Sequence, residues 1–254
     1  MQKWFFLLCF IIHIAAAQTV VKDCIIGETT VRLQQETFSW QQKGIYFLNL
    51  HSNETTSIEA AEEYLANQSG SLLQLMHDEG RYISFKLGEG DYKIDPNRIF
   101  TLHGRMETLK KNATYTLAAE KETAKLADSI LSFLANPTLM IAMHNNTDGD
   151  FSIKSYGKGK TESINAAAVY INPLMDMDDF VYTTELRIYR YLKLKKINVV
   201  LQKTKGFKDD GSLGVYCGFK HIPYINVEAQ EGHKEEQLQM LYALTEIVAY
   251  YEWK

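Results

Sequence analysis

Apolar positions along this chain form short unbroken runs separated by stretches in which they recur every three or four residues. Such a pattern predicts buried strands alternating with amphipathic helices. The run from Ile45 to Leu50 reads as a strand, and Ile58, Ala61 and Leu65 follow at helical spacing, which leaves His51 at a strand-to-helix junction. Leu72 to Met76 reads as a second strand, and Tyr82 to Asp95 as a hairpin turning through Gly88-Glu89-Gly90-Asp91. A long helix is predicted from about Tyr115 to Ala135, ended by Pro137, before a strand from Thr138 to Met143 that delivers His144.

After a polar, glycine-containing loop come a strand over Ala167 to Ile171, a helix near Thr184 to Leu194 and a strand over Ile197 to Gln202. The last units are a strand from Pro223 to Glu228 and a helix from about Lys234 to Tyr251 with Leu238, Leu241, Leu244 and Val248 on one stripe. Repeated units of this kind predict one α/β domain, a central mixed and largely parallel sheet with helices on both faces. Ligands of such sheets bind at the carboxyl ends of strands, where His51, His144 and Glu228 fall.

The first residues follow a different rule. Lys3 precedes an apolar run from Trp4 to Ile14, broken only by His13, and Ala15, Ala16 and Ala17 come before the polar Gln18. This is the pattern of a secretory signal peptide over residues 1–17, too short for a membrane helix and cut before Gln18. Cys9 follows Leu8 rather than a small residue, so it reads as part of the apolar core and not as a lipid attachment site. Residues 18–254 are then expected to be one catalytic domain with no transmembrane segment.

The formal charge is −4, one unit more negative without Lys3, and there is no long basic run. Nucleic acid is therefore not an expected partner. Beyond the signal segment stand Cys24 and Cys217, which an oxidising compartment could join or leave free. Asn53, Asn67, Asn112 and Asn145 each begin an Asn-X-Ser/Thr triplet. Glycans at Asn53 or Asn145 would crowd the candidate site, so a bacterial periplasmic or secreted protein suits the sequence better than a eukaryotic glycoprotein.

His51-Ser-Asn-Glu54 places an imidazole and a carboxylate one helical turn apart. Zinc accepts both ligand types, and a catalytic site needs three protein ligands with one position left for water. His144, at a strand end, is the third candidate; standing alone it would read as a hydrogen-bonded histidine at a core edge. Between them lies Asp95-Pro-Asn-Arg-Ile-Phe100. The planar fork of Arg98 suits a carboxylate and Asn97 supplies a neighbouring donor, although Asp95 and Arg98 could equally form a loop salt bridge.

The order His-X-X-Glu, Asp-X-Asn-Arg-X-Phe, strand-terminal His and strand-terminal Glu resembles the zinc carboxypeptidase superfamily, and most of all its aspartoacylase and succinylglutamate desuccinylase branch. The resemblance implies His51, Glu54 and His144 as zinc ligands, Asn97 and Arg98 as holders of a substrate carboxylate, and Glu228 as general base. It further implies an arginine that polarises the scissile carbonyl, for which Arg81 is the candidate, and a substrate-facing tyrosine, for which Tyr216 is. Both also have ordinary readings, Arg81 as a strand-edge charge and Tyr216 as packing. The chain departs from that branch in lacking a glycine after His51 and in having too little sequence after Glu228 for its C-terminal β domain.

The function expected from this resemblance is exported, zinc-dependent hydrolysis of an amide or peptide bond near a carboxylate. Substrates would be small peptides, cell-wall peptides or N-acyl amino acids. The competing expectation is a binding protein that retains fold and zinc without catalysis. His77, His103, His221 and His233 fall in no ligand spacing.

Overall fold

A computed structural model describes residues 18–39, 44–77, 80–149 and 151–252. The expected signal segment, with Cys9, lies outside them. A nine-stranded sheet runs in the order β1-β2-β4-β3-β7-β11-β9-β10-β8. Its centre comprises β4 (Gly70–Met76), β3 (Ile45–Asn49), β7 (Leu139–Asn146) and β11 (Tyr224–Gln230), all mutually parallel. The flanks are mixed: β1 (Gln18–Ile26), β2 (Thr29–Phe38) and β8 (Ala166–Tyr170) pair antiparallel with their neighbours, and β9 (Phe180–Thr183) is antiparallel to β11 but parallel to β10 (Val199–Gln202).

Strands covered on both faces carry continuous apolar runs rather than alternation. Every residue of β3 is buried, as are the first six of β7. One face of the sheet packs on α1 (Thr55–Gln68), α4 (Leu186–Leu194) and α6 (Lys234–Glu252), through Ile45, Phe47, Ile141, Met143, Val227 and Ala229. The other packs on α2 (Leu102–Asn112), α3 (Leu117–Leu131), α5 (Leu213–Lys220) and the separate hairpin of β5 (Ile83–Leu87) and β6 (Gly90–Ile94). Among the described residues no helix is long and apolar enough to cross a membrane.

The expected α/β architecture is the one observed, and the elements it lacked have physical reasons. The β1–β2 hairpin escaped the pattern because only Cys24 and Ile26 of β1 are buried. Helix α2 buries only Gly104, Thr108 and Leu109, too thin a stripe to read, and it starts where the Thr101 hydroxyl accepts from Gly104 N–H. The long predicted helix is shorter than expected, starting after the Thr116 cap and stopping at Leu131. Cys24 and Cys217 are both free and buried, so the possible disulfide is not formed; Cys217 Sγ lies 3.5 Å from Met140 Sδ, and burial pushes its thiol pKa up.

Candidate metal centre and catalytic cavity

His51 follows the end of β3, and Glu54 caps α1, so the chain reverses between them. Glu54 N–H donates to His51 C=O at 3.1 Å, and the Ser57 hydroxyl donates to Glu54 C=O at 2.8 Å. Asn49 braces the same junction by donating to Ser57 Oγ at 2.8 Å. The turn brings His51 Nδ1 to 2.7 Å from Glu54 Oε1, while His144 Nδ1 on β7 stands 2.8 Å from Glu54 Oε2. The three ligand atoms lie within 4.8 Å of one another, on residues that are all buried.

The far side of each ring is also held. His51 Nε2 stands 2.9 Å from Asp95 Oδ1, and Asp95 Oδ2 accepts from Arg81 Nη2 at 3.0 Å. Metal-ligating histidines usually donate their other N–H to such a carboxylate, which fixes tautomer and ring orientation. His144 Nε2 faces the Asn97 amide nitrogen at 3.3 Å, while Asn97 Oδ1 accepts from Leu213 N–H at 3.1 Å. Converging imidazole and carboxylate donors with supported rings fit a zinc-type ion.

Charges in this cluster reinforce one another. Burial works against a charged His51, but Glu54 and Asp95 outweigh it and raise the imidazole to about 9. Burial likewise opposes ionisation of Glu54, and His144 and His51 outweigh it, lowering the carboxyl to about 2. Asp95 is held well below the usual carboxylate range, burial being overcome chiefly by His51.

Glu228 is aligned by strand pairing. In the parallel register of β7 and β11 it stands opposite His144. Tyr224, Asn226 and Glu228, two residues apart, share the strand face that lines the cavity. Asn226 Nδ2 donates to Glu228 Oε2 at 2.9 Å, and burial raises the Glu228 carboxyl pKa above its ordinary value.

One cavity of about 520 Å³ holds His51, Glu54, Arg81, Asn97, Arg98, His144 and Glu228 in its walls. Seven of the eight residues singled out from the sequence therefore meet. Their contacts differ in part from expectation. Asp95 bonds His51 and Arg81 rather than pairing with Arg98, and Arg81 also approaches Glu54 Oε1 at 3.5 Å. The Asn97 amide is engaged with His144 and Leu213, which leaves Arg98 as the freer carboxylate donor. Arg98 Nη1 donates to Asn97 C=O at 2.7 Å, and its Nη2 stands 3.7 Å from Asp210.

Tyr216 is the exception. It sits on α5 with its ring 6.3 Å from that of Phe100, packed against the core and outside the cavity wall. The cavity is instead lined by Tyr156, Tyr182 and Tyr224, with Glu162 and Asp210 beyond them. No sequence spacing marked these residues, because they reach the cavity from separate loops and strands. Asp210 is set beside Arg98 by a tight backbone contact: a Cβ on Gly104 would collide with Gly211, which has φ +78°, and Phe100 N–H donates to Gly211 C=O at 3.0 Å. Of the Asn-X-Ser/Thr asparagines in the site, Asn145 is tied inward, accepting from Ser57 N–H at 2.8 Å and donating to Ala229 C=O at 3.2 Å.

No family model matches the chain, and none of the curated proteins does. Among solved structures, a protein assigned to the succinylglutamate desuccinylase/aspartoacylase family from Shewanella amazonensis shares 11% identity at a TM-score of 0.46, over 93% of this chain and 72% of that one. The murein-tripeptide amidase MpaA of Escherichia coli O157 shares 10% at 0.43, over 85% and 83%. An aspartoacylase family protein of Mesorhizobium loti shares 10% at 0.42, over 93% and 68%. At such identities and scores the chemistry rests on the site's own geometry.

Proposed function

We propose that this chain is a zinc-dependent hydrolase that cleaves an amide or peptide bond close to a substrate carboxylate. The observation that carries this reading is the convergence of His51, Glu54 and His144 in one cavity with a buried Glu228 directly across the strand pair. Zinc bound by those three side chains would supply Lewis acidity to a water and to the scissile carbonyl.

The chain's own groups do the rest. Glu228, its proton affinity raised by burial, takes the attacking water's proton and passes it to the leaving amine. Asp95 keeps His51 in the orientation that turns Nδ1 toward Glu54. Arg98 offers its fork to the substrate carboxylate, and Arg81, which approaches Glu54, polarises the carbonyl. Suitable substrates are small peptides, including cell-wall peptides, and N-acyl amino acids. Residues 1–17 would direct the chain to the periplasm or the exterior.

Metal analysis of the purified mature chain, followed by turnover assays on peptides and N-acyl amino acids, tests the reading. Close to one zinc per chain is expected, with activity lost to a chelator and restored by zinc. Substrates whose carboxylate is amidated should be cleaved poorly by the wild type, and Arg98→Ala should treat acid and amide alike. A well-folded protein that takes up no metal overturns the proposal.

A further inference from the structure

The cavity continues past Arg98 into a region that the hydrolytic groups do not use. Its charged walls there are Glu162 and Asp210. Glu162 accepts one hydrogen bond, from Asn165 Nδ2 at 2.8 Å, and makes no ion pair among the described residues. Asp210 Oδ1 accepts from Ser212 N–H at 3.0 Å, and Oδ2 has only the 3.7 Å approach of Arg98. Two carboxylates with spare lone pairs therefore face one arginine, whose fork a substrate carboxylate would take away from Asp210.

Aromatic rings of Tyr156, Tyr182 and Phe207 complete this end. The Tyr182 phenol is raised by burial first and then by the charges of Asp210 and Glu162, so those carboxylates act on the rings they flank. A second observation is independent of the acids. Asn146, only 8% exposed, lines the same cavity; its Nδ2 donates to Asp178 C=O at 2.7 Å, while its Oδ1 has no partner. A buried acceptor of this kind wants a donor from whatever fills the space.

Resting on the hydrolase reading for what is cleaved, we infer that the substrate residue held next to the scissile bond carries a cationic, N–H-bearing side chain, a primary amine or guanidinium, with Glu162 and Asp210 as its specificity determinants. The cation pairs with the carboxylates, its donors can satisfy Asn146 Oδ1, and the aromatic faces favour a cation over a neutral chain. With the substrate carboxylate on Arg98 and its side-chain cation on Asp210, both members of the weak Arg98–Asp210 pair are satisfied.

Calorimetric binding of free lysine and free norleucine, which have no amide bond to cleave, to the purified protein isolates the charge, because the two side chains are of similar length and shape. Wild type should bind the lysine ligand about tenfold more tightly or better, in line with hydrogen bonds to charged groups. Glu162→Gln should bring the affinity ratio towards one, and Asp210→Asn, the second variant should the first misfold, should reduce it. Equal affinities in wild type, a preference for norleucine, no binding of either ligand at millimolar concentration, or a lysine preference surviving in both variants overturns the inference. A protein that prefers lysine yet neither binds zinc nor turns over substrate supports this inference and removes the hydrolase reading. An active zinc enzyme that binds both ligands equally does the reverse.

Discussion

The two ends of the cavity are built differently. At the end of the candidate ligands, His51 and His144 stand at the ends of adjacent parallel strands and Glu228 on the next strand, with the surrounding side chains buried and cross-braced. At the end proposed for the substrate side chain, Tyr156, Glu162 and Asn165 come from the stretch between β7 and β8, and Phe207 and Asp210 from the stretch before α5. Strand register sets the first group; turn chemistry, such as the Gly104–Gly211 contact and the Asp210-to-Ser212 hydrogen bond, sets the second. Tyr182 of β9 and Asn146 of β7 join that end from the sheet, so its carboxylates can change with the loops while the groups around the candidate ligands stay fixed.

The sharpest way to break this contrast is Glu228→Gln. The amide is nearly isosteric and cannot take a proton from water, so zinc content and fold should persist while turnover falls by about 10² to 10⁴-fold. The same change at Glu231, which lies in the turn after β11, should leave turnover near wild type. Activity lost in the second variant and kept in the first would move the general base off the strand.

A smaller effect is expected one layer out. Asp95→Asn removes the carboxylate that accepts from His51 Nε2 and pairs with Arg81, and zinc affinity should weaken by about 10- to 100-fold with the protein still folded. A competition titration against a chelator reads this directly. Unchanged affinity would mean that the ring of His51 is held by its strand alone. Smallest of all is Tyr216→Phe, which changes a side chain packed on Phe100 outside the cavity. Its kcat/KM should stay within about twofold of wild type, as for substitutions remote from a site. A larger loss would bring α5 into the substrate end.

What could be read beforehand divides along the same line. The runs of β3 and β7 were legible because burial on both faces makes residues 45–48 and 139–143 continuously apolar, and the ends of these strands and of β11 located His51, His144 and Glu228. Glu54 was legible because one turn separates it from His51. Asp95 was visible as a residue but not in its role, since its partners lie 44 and 14 positions away and only the fold joins them. Tyr216 lies on α5, which carries it off the cavity, while Tyr224, on the strand of Glu228, faces it. Glu162 and Asp210 sit in polar segments where a carboxylate is the ordinary solvated choice, so nothing in their surroundings singled them out.

The pairing of Glu228 with His144 imposes a rule of parity on β11. Side chains of a strand alternate between its faces, and here Tyr224, Asn226 and Glu228 take the cavity while Ile225, Val227 and Ala229 take the opposite core. Insertion or deletion of a single residue within the strand would hand the cavity aliphatic side chains and press a carboxylate against α6. Two residues added or removed would restore the faces, displaced by one pleat. A change in length that leaves the cavity intact therefore has to fall in the loops, the segments that carry Glu162 and Asp210.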